Sequence, residues 1–213
     1  MMGEMNRNES ERAEGASRFA GIAGKIDRGF YVPLVRKLME ERETAKDGAA
    51  FVFTAVGPGE GVSVVTGTVA RELASESGEK VLVAEASAIG NFAPAQGSEF
   101  REPVMREGSG IYRLRPATSF NSASRAQRFD LLKQLKLLFA FVLIDCPALS
   151  VSTEALEFGA RSQGLVLVAA AGQVRRNRLL QAKRIIEVSG VSLLGCALNR
   201  RTYPIPEFLY RRL

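Results

Sequence analysis

The run Thr54-Ala-Val-Gly-Pro-Gly-Glu-Gly-Val-Ser63 sets three glycines, Gly57, Gly59 and Gly61, between a short apolar run and a stripe of helix-spaced residues. Glycine lets a backbone approach a ligand closely. A helix that begins at such a turn presents unsatisfied N–H groups and the positive end of its dipole. Together these features make a seat for phosphate. The candidate ligand-binding positions are therefore Gly57, Gly59, Glu60, Gly61, Val62, Ser63 and Val64, with the Ser63 hydroxyl placed to hold magnesium. Loops of this kind carry a lysine just before the hydroxyl residue. Here that position is Val62.

A second pattern lies downstream. Val142-Leu-Ile-Asp-Cys-Pro147 is an apolar strand-type run that ends in a carboxylate. An aspartate at a strand tip can hold a magnesium shell or a water beside a phosphate loop. Asp145 is thus both a candidate catalytic residue and a candidate metal ligand, together with Ser63.

Other chemistries are excluded. The chain has no histidine, which removes histidine-based triads, general bases and metal ligands. Two cysteines, Cys146 and Cys196, cannot make a zinc site, and both are expected to be buried reduced thiols. What remains is carboxylate, hydroxyl, lysine and backbone chemistry.

The elements that must position these groups alternate along the chain. Pro33 to Glu41 reads as a helix opened by proline. Strand-type runs follow at Ala50–Val56, Lys80–Ala84, Gly110–Leu114, Phe141–Asp145, Gly164–Ala171 and Val191–Leu198. Between them lie helical stripes at Ser63–Ser75, at a capping box formed by Ser124 and Gln127, at Thr153–Ala160 and at Arg175–Val188. The segment from Gly90 to Gly108 is polar and irregular and reads as a loop. Strands apolar on both sides that alternate with helices predict an α/β fold of three layers with a mainly parallel central sheet. Such a sheet binds ligands at the carboxyl ends of its strands.

The order and spacing of these motifs resemble the cytoplasmic tyrosine kinases of bacterial capsule and exopolysaccharide synthesis, within the partitioning and septum-site ATPases. The family loop reads T-S-x-x-P-G-E-G-K-S, against TAVGPGEGVS here. Its next strand reads V-L-L-I-D-A-D, against VLVAEAS, so Glu85 and Ser87 replace two aspartates. Its V-I-I-D-T-P-P is matched by VLIDCPA, and its closing G-V-V-L-N by Gly195 to Asn199. The resemblance implies a P-loop NTPase fold, ATP or ADP with Mg²⁺ as cofactors, Glu85 as a second catalytic carboxylate, and Asn199 against the adenine base. It also implies a membrane-bound polysaccharide chain-length or export protein as partner, and a homo-oligomer. The valine at 62 and the altered carboxylates imply a regulatory protein of weak or no activity. The competing expectation is a working kinase or ATPase that borrows another cation, with Lys80 and the arginines at 175–178 as candidates.

The 213 residues suit one domain from 25 to 199, with a polar N-terminal tail over 1–24 and a basic, aromatic C-terminal tail over 200–213. Met1 to Arg18 lacks the apolar core of a secretory leader, and no run reaches the roughly 18 apolar residues of a span. The expected location is cytoplasmic, at the inner face of the plasma membrane. The net charge of +6 is concentrated in the last third and suits an anionic membrane surface or an acidic partner. A DNA-associated partition ATPase is the third expectation, although no nucleic-acid motif accompanies the charge. The tail offers Tyr203 and Tyr210 where the family has a tyrosine cluster.

Overall fold

The computed structural model describes residues 28–90, 104–114 and 124–200. The two expected tails, with Tyr203 and Tyr210, and most of the expected 90–108 loop lie outside these residues. A 3₁₀ turn, Arg28–Tyr31, leads into α1 (Val32–Glu43), with Pro33 in its first turn as expected. Then follow β1 (Ala49–Ala55), α2 (Val62–Ser77), β2 (Val81–Glu85), α3 (Ala86–Gly90), β3 (Val104–Arg106) and β4 (Ile111–Leu114). The second half holds α4 (Arg125–Leu138), β5 (Phe141–Asp145), α5 (Glu154–Gly159), β6 (Gly164–Ala170), α6 (Arg176–Val188) and β7 (Leu193–Asn199).

The strands form one seven-stranded sheet in the order β3-β4-β2-β5-β1-β6-β7. Every pairing is parallel except β3 with β4. The antiparallel pair corrects the expectation of an irregular 90–108 loop. Three residues, of which only Val104 is even half-buried, are too short to show a period.

β1 and β6 are buried along their whole lengths, which is why they read as unbroken apolar runs. Alternation sends Ala50, Val52, Val142 and Ile144 into one core with Leu132, Leu135, Ala182 and Ile186 from α4 and α6. Phe51, Phe53, Phe141 and Leu143 enter the other with Val35, Leu38, Val65, Val69 and Leu73 from α1 and α2. Each fully buried aliphatic side chain of this kind stabilises by about 1.5–3 kcal/mol relative to exposure.

Local chemistry ends and starts the helices. Gly78 closes α2 in the left-handed conformation, and Ser124 and Gln127 form the expected capping box before α4. Gly48 must be glycine, because a Cβ there would lie 1.9 Å from the Phe139 carbonyl oxygen. Cys146 is buried as expected, but Cys196 is exposed. The reason is topological: β7 is a sheet edge, paired only with β6 among the described residues.

Candidate functional site

The loop between β1 and α2 sits at the carboxyl edge of the sheet. Gly61, at φ +86°, is the N-cap of α2 and offers no capping side chain to the first-turn N–H groups. The loop braces itself. Glu60 accepts the Gly57 N–H through Oε1 at 2.6 Å, and its other oxygen, Oε2, is buried without a hydrogen-bond partner among the described residues. Asn199, at the end of β7, donates from Nδ2 to the Glu60 carbonyl at 2.9 Å. The expectation for Asn199 was a ligand base; the structure commits its amide nitrogen to the loop backbone.

β2 and β5 place Glu85 directly beside Asp145 in register. Both fall on the α2 face of the sheet by alternation. The Ser63 hydroxyl, from the first turn of α2, lies near the Asp145 carboxylate and favours its charged form. Ser87 donates to Glu85 Oε2 at 3.3 Å. The strands and the loop thus bring Ser63, Asp145 and Glu85 to one edge of the sheet.

The charge balance is unusual for a phosphate seat. Burial pushes the Asp145 carboxyl above its usual range; the Ser63 hydroxyl opposes this, Glu85 adds to it and Arg113 opposes it. Arg113, which the sequence did not reveal, acts on Asp145 only through its charge. It lies on β4, opposite Val83, and it pairs with Glu107. Val62 supplies no charge. Its half-buried side chain packs against the α1–α2 core. Lys80 is ruled out as the substitute cation. It precedes the amino end of β2, while Glu85 ends it, a separation of about 16 Å for five residues. Arg175 and Arg178 start α6 after the carboxyl end of β6 and share the loop's edge of the sheet. Cys146 and Cys196 take no part: burial raises both thiols, Cys146 strongly and Cys196 with help from Glu60.

Hard oxygen donors at Ser63 and Asp145, with Glu85 alongside, fit a divalent cation that keeps waters and ligand phosphate in its shell. Among the described residues no cluster of three or more acidic, cysteine or histidine ligands forms a closed metal cage.

Comparison with known proteins agrees with this geometry. No family model matches the chain. The tyrosine-protein kinase CpsD of Streptococcus agalactiae is 33% identical over 70 residues, 33% of this chain. Over that stretch the chain is similar to bacterial tyrosine-protein kinases. The match to this kinase spans only 31% of its length. The kinase domain of VpsO superimposes over 89% of this chain and 98% of its own, with a TM-score of 0.69 and 16% identity. The cell-division complex MinC:MinD of Aquifex aeolicus aligns over 78% of this chain and 72% of its own, with a TM-score of 0.57 and 14% identity. The fold is therefore that of the P-loop ATPases of the partitioning and septum-site type. Against these kinases, the departures at Val62, Glu85 and Ser87 all lie within the site just described.

Proposed function

We propose that this chain is a cytoplasmic, regulatory component of exopolysaccharide or capsule synthesis that binds ATP or ADP weakly and phosphorylates poorly. The observation that carries the reading is Val62: a core-packed valine stands where the loop needs a cation. A charge-assisted contact of that kind is worth about 1.5–3 kcal/mol. The ionisable side chains nearest the loop, Glu60, Glu85 and Asp145, are carboxylates, so a bound phosphate gains from arriving with its own counter-charge. Magnesium would supply it, held by Ser63 and Asp145. The backbone N–H groups of residues 59–64 would orient the phosphates, and Asn199 would hold the loop in shape.

Calorimetric titration with ATP and ADP, with and without Mg²⁺, tests this. Weak binding that requires Mg²⁺, with turnover well under 1 s⁻¹, is the expected result. Turnover at about 1 s⁻¹ or faster, an ordinary enzyme rate, overturns it.

A second reading is favoured by Arg113, whose charge acts on Asp145 across β2. There the guanidinium stands in for the lysine and the chain is a working kinase. Turnover that disappears in Arg113→Ala supports it.

The working location is the inner face of the plasma membrane, beside a membrane-bound chain-length or export protein. The partial likeness to a bacterial tyrosine-protein kinase supports it. The excess of basic residues supports contact with anionic lipid at about 1 kcal/mol for each one near the surface. Deleting Arg200 to Leu213 and following membrane recovery and polymer output tests whether the tail is the anchor. DNA binding by a protein that never meets the membrane would favour the partition-type reading.

A further inference from the structure

α6 is an unusual helix for the outer layer of this fold. Only Ala182 and Ile186 are buried, while Leu180 and Ile185 are each 42% exposed and Val188 is 89% exposed. The same helix carries Arg176, Arg178, Lys183 and Arg184, with Arg175 at its N-cap, against a single acid, Glu187. One flank of α6, formed by Arg178, Gln181 and Ile185, faces Leu149 and Ser150 after β5 and Val56 after β1 across a cleft of about 230 Å³. Val151, beside it, is 66% exposed. The lining is aliphatic at Val56, Leu149, Ala182 and Ile185 and carries one cation, Arg178, next to the arginines at 175 and 176. Val56 immediately precedes Gly57 of the phosphate loop, so an occupant touches the loop's stem.

We propose that this cleft docks an acidic segment of a partner protein, which inserts one large apolar side chain between Ile185 and Leu149 and sets carboxylates against Arg178 and its neighbouring arginines. Charge complementarity selects the occupant. The α6 surface is basic, so acidic groups are steered to it, and the exposed aliphatic groups need an apolar anchor that a flat lipid headgroup layer or a nucleic-acid backbone does not present at this size. The surface deepens the partner-dependent reading above and rests on it. It gives that partner a site that contacts the nucleotide loop through Val56.

The experiment uses the full chain and a fluorescein-labelled peptide of glutamates around a central phenylalanine–leucine pair, followed by anisotropy. Two further peptides serve as controls, one with the apolar pair replaced by glycines and one with the glutamates replaced by glutamines. Saturable binding of the first peptide is expected, weakened about tenfold or more by Arg178→Glu and, separately, by Ile185→Ser. Both positions are exposed, and circular dichroism reports whether each variant keeps its fold. Lys133→Glu, on the exposed side of α4, makes the same charge change elsewhere and should leave binding within about twofold.

The proposal is overturned if the acidic peptide does not bind, if the glycine control binds equally, or if Lys133→Glu weakens binding as much as Arg178→Glu. It is also overturned if anionic phospholipid vesicles or duplex DNA, and not the peptide, show the dependence on Arg178 and Ile185. Nucleotide titration of the same preparations is read independently. Peptide binding without nucleotide binding leaves the docking surface standing and removes only the nucleotide part of the proposed function.

Discussion

The Ser63 hydroxyl, in the first turn of α2, lies near the Asp145 carboxylate at the tip of β5 and favours its charged form. This placement puts both expected metal ligands within reach of one ion and leaves residue 62 as the missing element. Val62→Lys should therefore raise affinity for Mg²⁺-ATP by about 10- to 100-fold, the equivalent of about 1.5–3 kcal/mol. Calorimetry reads it directly. An unchanged affinity would mean that the loop is not a phosphate seat.

Asp145 also sets a pH dependence. Its folded carboxyl sits above the unfolded value because burial, and then Glu85, disfavour the charged form. The folded state thus holds its proton more tightly than the unfolded state, and this group's contribution to stability falls as pH rises from about 3.8 through the raised value. At neutral pH the ionised group costs stability. Asp145→Asn should raise the melting temperature at pH 7 and flatten the decline across that acidic window, while removing Mg²⁺-dependent nucleotide binding. A variant that melts lower at pH 7 would show that the carboxylate is compensated by groups outside this account.

Gly61 and Gly59 make a matched pair. Both have positive φ, but a Cβ at Gly61 would meet Asn199 Nδ2 at 2.1 Å, whereas one at Gly59 meets nothing within 4 Å. Gly59→Ala should cost only the left-handed backbone penalty, about 1–2 kcal/mol. Gly61→Ala should cost that and the Asn199 bond to the loop, about 1 kcal/mol more. Urea unfolding compares them, and equal costs would dismiss the Asn199 brace.

Asn199→Ala tests the same brace from the other side. It should lower global stability by about 1 kcal/mol, and hydrogen exchange at the amides of residues 57–63 should quicken. If exchange there stays as in wild type, Glu60 and Gly57 hold the loop alone.

Much of this was legible in the sequence because the physics is local. The unbroken apolar runs of β1 and β6, the Ser124 and Gln127 box and the stop at Gly78 each declare themselves within a few residues. The Ser63–Asp145 meeting followed from strand order. What was not legible depends on rotamers or on distant pairing. The turn of the Glu60 side chain back to Gly57 is a rotamer. The reach of Arg113 to Asp145 depends on β4 pairing with β2, and the exposure of Cys196 on β7 lying at the edge. β3 is too short to carry a period, and the five residues of α3 follow β2 with no cap signal.

The loop owes its shape to bonds that bypass residue 62. Gly57 N–H to Glu60, Asn199 to the Glu60 carbonyl, and the left-handed Gly59 and Gly61 define it, and none involves the Val62 side chain. The neighbouring strand is latched just as independently, by Cys146 N–H to the Phe53 carbonyl, Leu149 N–H to the Ala55 carbonyl, and the Thr54 hydroxyl to the Pro147 carbonyl. Position 62 is therefore open to drift. Lysine and valine can be exchanged there without unfolding the protein, because the exchange alters charge and leaves these bonds in place. Charge and form are thus separable at this seat: one substitution adds or removes the cation while the loop keeps its shape.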